Sequence, residues 1–141
     1  MNRRNFVNIF LGGSLAGTII TLAYPVLRYF LPPRQSGAVV KSVTAARVGE
    51  LAPNSAKIFR FGTAPAILVF TSQGEYRALT ATCTHLACTV RYETETESFF
   101  CPCHNGRFSL GGQVISGPPP LPLENYKVDV VGQDIVVSLR A

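Results

Sequence analysis

The sequence predicts an all-β, mainly antiparallel domain carried behind one N-terminal transmembrane helix, and three observations predict it. From Asn5 to Leu27 there is no charged residue. From Ala38 onward, short apolar or alternating runs are broken by turn residues, with no long stretch at helical spacing. All four cysteines and both histidines fall between Cys83 and His104, which concentrates the chemistry in one small region. A chain of 141 residues has room for one modest domain and an accessory segment, not for two folded domains.

The first element is the anchor, residues 1–31. Its run FVNIFLGGSLAGTIITLAYPVL supplies the roughly 20 apolar residues that cross a hydrocarbon core as a helix. Gly12, Gly13, Gly17 and Pro25 weaken an isolated helix, yet small residues are common where membrane helices pack closely, and Pro25 falls where a late kink is expected. A cleaved export signal shares the charged start and apolar run. The length of this run, and the lack of a clear small-x-small cleavage site before Pro32, favour a retained anchor. Arg3 and Arg4 resemble a twin-arginine export signal, loosely, since RRNF lacks the full motif. The positive-inside tendency places the N-terminus in the cytoplasm and the C-terminal head on the extracytoplasmic side, with Arg28 and Arg34 opposing that bias. Residues 32–37 then read as a connector, two prolines stiffening its start and Ser-Gly loosening its end.

Charge excludes one class of partner. Of the net +5, Arg3, Arg4, Arg28 and Arg34 supply four, leaving 9 basic against 8 acidic residues in the remainder. A nucleic-acid groove needs its charge clustered in the folded part, so these arginines read as membrane-flanking and no nucleic-acid partner is expected.

The head is expected over residues 38–141. Candidate strands are Val39 to Val43, Ala56 to Phe61, Ala66 to Thr71, Tyr76 to Thr80, Thr89 to Glu93, Ser98 to Cys101, Arg107 to Leu110, Gln113 to Ile115, Lys127 to Val131 and Asp134 to Leu139. Hairpin-like turns separate them at Gly62 to Pro65, Ser72 to Gly74, Gly111-Gly112 and Gly132-Gln133. Glu93, Glu95 and Glu97 read as a solvated hairpin face, Arg91 and Arg107 as solvated surface charge, and Phe99, Phe100 and Phe108 as core aromatics.

The chemistry lies in CTHLAC, Cys83 to Cys88, and CPCH, Cys101 to His104. Two sulfurs and two imidazoles could hold one tetrahedral zinc. Zinc modules, however, draw two ligands from one short knuckle, whereas each loop here offers one Cys, one His and a surplus Cys. The pattern C-x-H…C-x2-H with an added Cys in each loop resembles the Rieske iron-sulfur family, in the branch whose loops are joined by a disulfide. GPPPLPL, Gly117 to Leu123, looks like that family's proline-rich loop over the cluster.

The resemblance implies a β-sandwich head with a cluster-binding subdomain at about residues 80–123 and a Rieske-type 2Fe-2S cluster. Cys83 and Cys101 would bind one iron, His85 and His104 the other, and Cys88 would pair with Cys103. Leu86 and Pro118 would border the cluster, and His85 or His104 would meet quinol. Two imidazoles in place of thiolates leave one iron less negative, so its reduction is easier than in an all-Cys cluster. The implied setting is the redox subunit of a dimeric, multi-subunit cytochrome bc-type quinol to cytochrome c oxidoreductase, working with a cytochrome b-type subunit, a c-type cytochrome and quinol in the cytoplasmic membrane. The second reading is the small subunit of another extracytoplasmic redox enzyme, such as an arsenite oxidase-like complex.

Two departures matter. Where respiratory and photosynthetic members carry Ser and Tyr hydroxyls that donate to sulfur, this chain has Gly106 and Phe108. Such bonds stabilise the reduced state, so their loss places the expected potential in the low or middle part of the family range of about −150 to +300 mV and favours menaquinol as donor. Ala87 also stands where the family usually has Gly; a positive φ there would strain the loop.

Overall fold

A computed structural model describes residues 2–31 and 40–140; the connector expected at 32–37 lies outside the described residues. The N-terminal helix and the head are separate compact units.

Helix α1 runs Arg3–Phe30, 28 residues, continuing through Pro25. At 1.5 Å per residue it extends about 42 Å, more than the ~30 Å of a hydrocarbon core. None of its side chains is buried. Its two threonine hydroxyls turn back onto the backbone, Thr18 Oγ1 donating to Ser14 O at 3.0 Å and Thr21 Oγ1 to Gly17 O at 2.8 Å. These polar groups therefore need no partner outside the helix.

The head consists of β1 (Ser42–Arg47), β2 (Ser55–Phe61), β3 (Ala64–Phe70), β4 (Tyr76–Thr80), β5 (Arg91–Glu93), β6 (Ser98–Cys101), β7 (Gly106–Phe108), β8 (Val114–Ser116), β9 (Asn125–Val131) and β10 (Asp134–Ser138). One sheet has the order β1-β10-β9-β4-β3-β2, the other β5-β6-β7-β8, and every strand pairing is antiparallel. β1 and β2, at opposite ends of the larger order, touch, so that sheet curls around its own core.

Strand β3 explains why two cores exist. Side chains alternate faces along a strand. Ala66 and Leu68 enter the core enclosed by the larger sheet with Phe61, Ile135 and Val137. Ile67 and Val69 enter a second core with Val90, just before β5, and with Phe99 and Phe108 from the smaller sheet. The run AILV is thus apolar without alternation because both faces are covered. β4 divides likewise, Ala78 to the first core and Leu79 to the second.

The smaller sheet and its loops occupy the chain between β4 and β9. Those strands pair at Ala78↔Tyr126 and Leu79↔Asn125, and Thr80 N donates to Glu124 O at 2.9 Å, closing the base of the insertion. A second tie crosses from the loop before β2: Tyr92 Oη donates to Asn54 Oδ1 at 2.6 Å and Asn54 Nδ2 to Thr94 O at 3.0 Å.

Three expectations need correction. The first strand begins at Ser42 and extends to Arg47 rather than running from Val39 to Val43, of which Val39 lies outside the described residues. A bulge between Thr44 and Ala46 turns both Ala45 and Ala46 inward, which breaks the alternation that marks a strand in sequence. Phe99 and Phe108 are fully buried, but Phe100, one residue on, faces the other side of β6. There its ring lies between Arg91 and Arg107, each guanidinium carbon 5.0 Å from the ring centre, while Arg107 Nη1 donates to Glu93 Oε2 at 2.7 Å. These charges are paired with neighbours and are not simply solvated.

Candidate metal centre

Three loops meet at one end of the smaller sheet. The first, Cys83 to Cys88, is closed by the bridge Thr82↔Thr89 and by Cys83 N donating to Cys88 O at 2.8 Å. Ala87 N returns to Cys83 O at 3.0 Å, and Ala87 adopts φ +56°, the left-handed conformation expected to strain a non-glycine residue there. The second is the hairpin between Cys101 and its cross-strand partner Gly106, with Asn105 at φ +56° completing the turn. The third is the proline-rich run from Gly117 to Leu123. Thr84 Oγ1, in the first loop, donates to Leu121 O in the third at 2.6 Å.

The loops close around a narrow recess lined by Cys83, His85, Leu86, Cys88, Cys101, His104, Gly106, Pro118 and Pro119, which has no room for an organic cofactor or a drug-sized ligand. Every expected site residue lines it except Cys103, whose sulfur is bonded to Cys88 at 2.06 Å. Cys83 and Cys101 are free and buried. Burial pushes the Cys83 thiol up, opposed by hydrogen bonds from the His85 and Leu86 backbone amides, and the adjoining Cys101 thiol raises it further. Those two amides donate to sulfur in a site that lacks hydroxyl donors at Gly106 and Phe108.

The histidines sit at the other end. His85 Nδ1 and His104 Nδ1 are 3.2 Å apart, with the rings at 81° to each other. Two ring nitrogens this close could both be held by one metal ion. Both rings reach the surface, whereas the thiols do not. Among the described residues, the group of three or more ligand atoms mutually within 4.8 Å is that of Cys88, Cys101 and Cys103, so the two thiols and two imidazoles do not converge on one point. One zinc would draw its four ligands to within about 4 Å of one another. A group with two metals, thiolate-bound at the buried end and imidazole-bound at the exposed end, fits the separation.

Leu86 is 65% exposed beside the histidines, and Pro118 is exposed as well. Two contributors escaped the sequence reading. Pro119 is buried and lines the pocket, but GPPP does not distinguish its three prolines. Thr84 sits between two expected ligands, and its partner Leu121 lies 37 residues away.

Comparison with known proteins agrees in both parts of the chain. A Rieske [2Fe-2S] domain model matches residues 41–127, and an iron-sulfur subunit PetC transmembrane anchor model matches residues 1–41. The cytochrome b6-f complex iron-sulfur subunit of Chlorobaculum thiosulfatiphilum is 37% identical over 136 residues, covering 96% of this chain and 75% of the relative. The crystal structure of the cyanobacterial plasma membrane Rieske protein PetC3 from Synechocystis PCC 6803 superposes with a TM-score of 0.53 at 32% identity, over 57% of this chain and 83% of that one. The ferredoxin of carbazole 1,9a-dioxygenase from Nocardioides aromaticivorans IC177 gives a TM-score of 0.61 at 25% identity, over 71% of this chain and 99% of that one. The head fold is therefore shared with a ferredoxin, while residues 1–41 match the transmembrane anchor of an iron-sulfur subunit.

Proposed function

The chain belongs to the Rieske [2Fe-2S] domain family, and from that premise we propose that it is the membrane-anchored electron carrier of a cytochrome bc- or b6-f-type complex. The observation that carries this reading is the match of anchor and head together to an iron-sulfur subunit of such a complex.

In this reading Cys83 and Cys101 hold the buried end of the cluster, and His85 and His104 hold the exposed end through the facing Nδ1 atoms. The bound cluster supplies a one-electron couple. The Cys88–Cys103 bond clamps the first two loops against each other, and Thr84 fastens the third to the first. With Nδ1 directed inward, the second ring nitrogens are free to exchange a proton with a hydroxyl at the surface. A quinol loses an electron and a proton from the same hydroxyl, so an exposed imidazole is suited to receive it. Leu86, exposed beside the imidazoles, offers an apolar surface to a quinone ring.

The lack of hydroxyl donors at positions 106 and 108 supports a menaquinol donor, and the reading adds a c-type cytochrome as acceptor and a head outside the cytoplasm, the latter supported by the Cys88–Cys103 disulfide and the arginines Arg3 and Arg4 before the helix. The complex is expected to be dimeric. The bounds of anchor, connector and head remain those of the sequence, 1–31, 32–37 and 38–141. The test is affinity purification of the full chain from its own membranes. Co-purifying b-type haem and menaquinol-dependent cytochrome c reduction support the reading, whereas a molybdenum-containing partner without haem b would replace it with the arsenite oxidase-like alternative.

A further inference from the structure

Gly106 and Pro119 come from different loops, and their contact is closer than any other residue type at position 106 permits. A Cβ at Gly106 would lie 2.8 Å from Pro119 Cγ and 3.2 Å from Cδ. The obstructing atoms belong to a closed ring that is itself buried, so no rotamer change clears them. Beside this contact, a Cβ at Gly117 would lie 2.8 Å from Gly106 Cα and 3.1 Å from Asn105 O. The proline-rich loop thus lies backbone against backbone on the turn that carries Cys101 and His104, and the Pro119 ring occupies the volume that a side chain at 106 would need.

We propose that Gly106 and Pro119 are a matched pair of positioning residues that set the height of the proline-rich loop over Cys101 and His104. Thr84 ties the same loop to the other ligand turn through Leu121, so the pair determines how the two ligand turns are spaced across the pocket. Pro118 and Pro119 line that pocket, and displacing them admits water to the thiol end. The match also explains the missing hydroxyl at position 106: a hydroxyl-bearing side chain cannot stand there while position 119 is proline. The two positions must change together. This inference rests on the site holding the cluster and goes beyond that reading in assigning the loop's placement to one contact.

The test uses the full chain in detergent with its cluster, as wild type, Gly106→Ala, Pro119→Ala and the double variant. Two readouts are followed: the rate of cluster loss to an iron chelator and the EPR line shape of the reduced cluster. Overpacking one methyl against a rigid ring is expected to speed loss in Gly106→Ala on the order of tenfold and to shift its line shape. Pro119→Ala alone is expected to loosen the loop mildly. The double variant should return close to Pro119→Ala in both readouts, because the added methyl then has room. A silent Gly106→Ala, or a double variant as impaired as Gly106→Ala, overturns the proposal. If Gly106→Ala does not fold, a folded, loaded double variant supports the pair and an unfolded one overturns it. A wild-type chain without iron would overturn the reading of the site itself, and this inference with it.

Discussion

His85 Nδ1 and His104 Nδ1 face each other at 3.2 Å across the mouth of a pocket whose floor is formed by two buried thiols. The outer nitrogens of both rings are left toward solvent.

Phe108 is fully buried in the core that includes Cys83 and Cys101. A tyrosine there would bring a hydroxyl into a region whose described sulfur donors are the His85 and Leu86 amides. Phe108→Tyr is expected to raise the midpoint by about 40 mV, the one-electron equivalent of about 1 kcal/mol of preferential bonding to the reduced state. The wild-type value should lie in the low or middle part of the Rieske range. A wild-type midpoint near the top, at about +300 mV, would remove the basis for a menaquinol donor.

Cys88 and Cys103 close a loop with a sequence separation of 15. Chain entropy for a loop of that size gives about 3 kcal/mol. Cys88→Ser is expected to lower the thermal midpoint of the head and to release iron to a chelator faster. Unchanged melting would show that the three loops hold themselves without the bond.

Ala87 at φ +56° is strained. A left-handed conformation costs a non-glycine residue about 1–2 kcal/mol, while glycine's greater freedom in the unfolded chain returns about 0.5–1 kcal/mol of that. Ala87→Gly should therefore stabilise the head by about 0.5–1 kcal/mol, read as an increased denaturation midpoint at unchanged slope. A destabilised variant would mean that the Ala87 methyl contributes contacts worth more than the strain.

Much of this was legible in the chain, and for identifiable reasons. Tyr76–Thr80 is readable as a strand because the turn residues Ser72 to Gly74 lie just before it, and Ser98–Cys101 because its paired phenylalanines favour a strand and Pro102 stops it. The concentration of Cys and His marked the site, since donor type and spacing are local properties. What sequence did not reveal depends on non-local contacts. The bulge that turns both Ala45 and Ala46 inward needs β10 opposite it. Phe100 read as core because three aromatics near a site look alike until the register assigns faces. The order β1-β10-β9-β4-β3-β2 brings the first strand beside the last, a pairing with no local signal. Gly106 read only as a missing hydroxyl, because the ring that excludes a side chain there arrives from residue 119.

The measurement that bears most directly on the account is low-temperature EPR of the dithionite-reduced full chain in its membranes, with histidine labelled by nitrogen-15. The account predicts a rhombic signal of a mixed Cys/His [2Fe-2S] centre with hyperfine coupling to two histidine nitrogens, and loss of that signal in His85→Ala and in His104→Ala. A silent spectrum with zinc found by metal analysis, or a signal without histidine coupling, would contradict the assignment of Cys83, Cys101, His85 and His104 as the ligands.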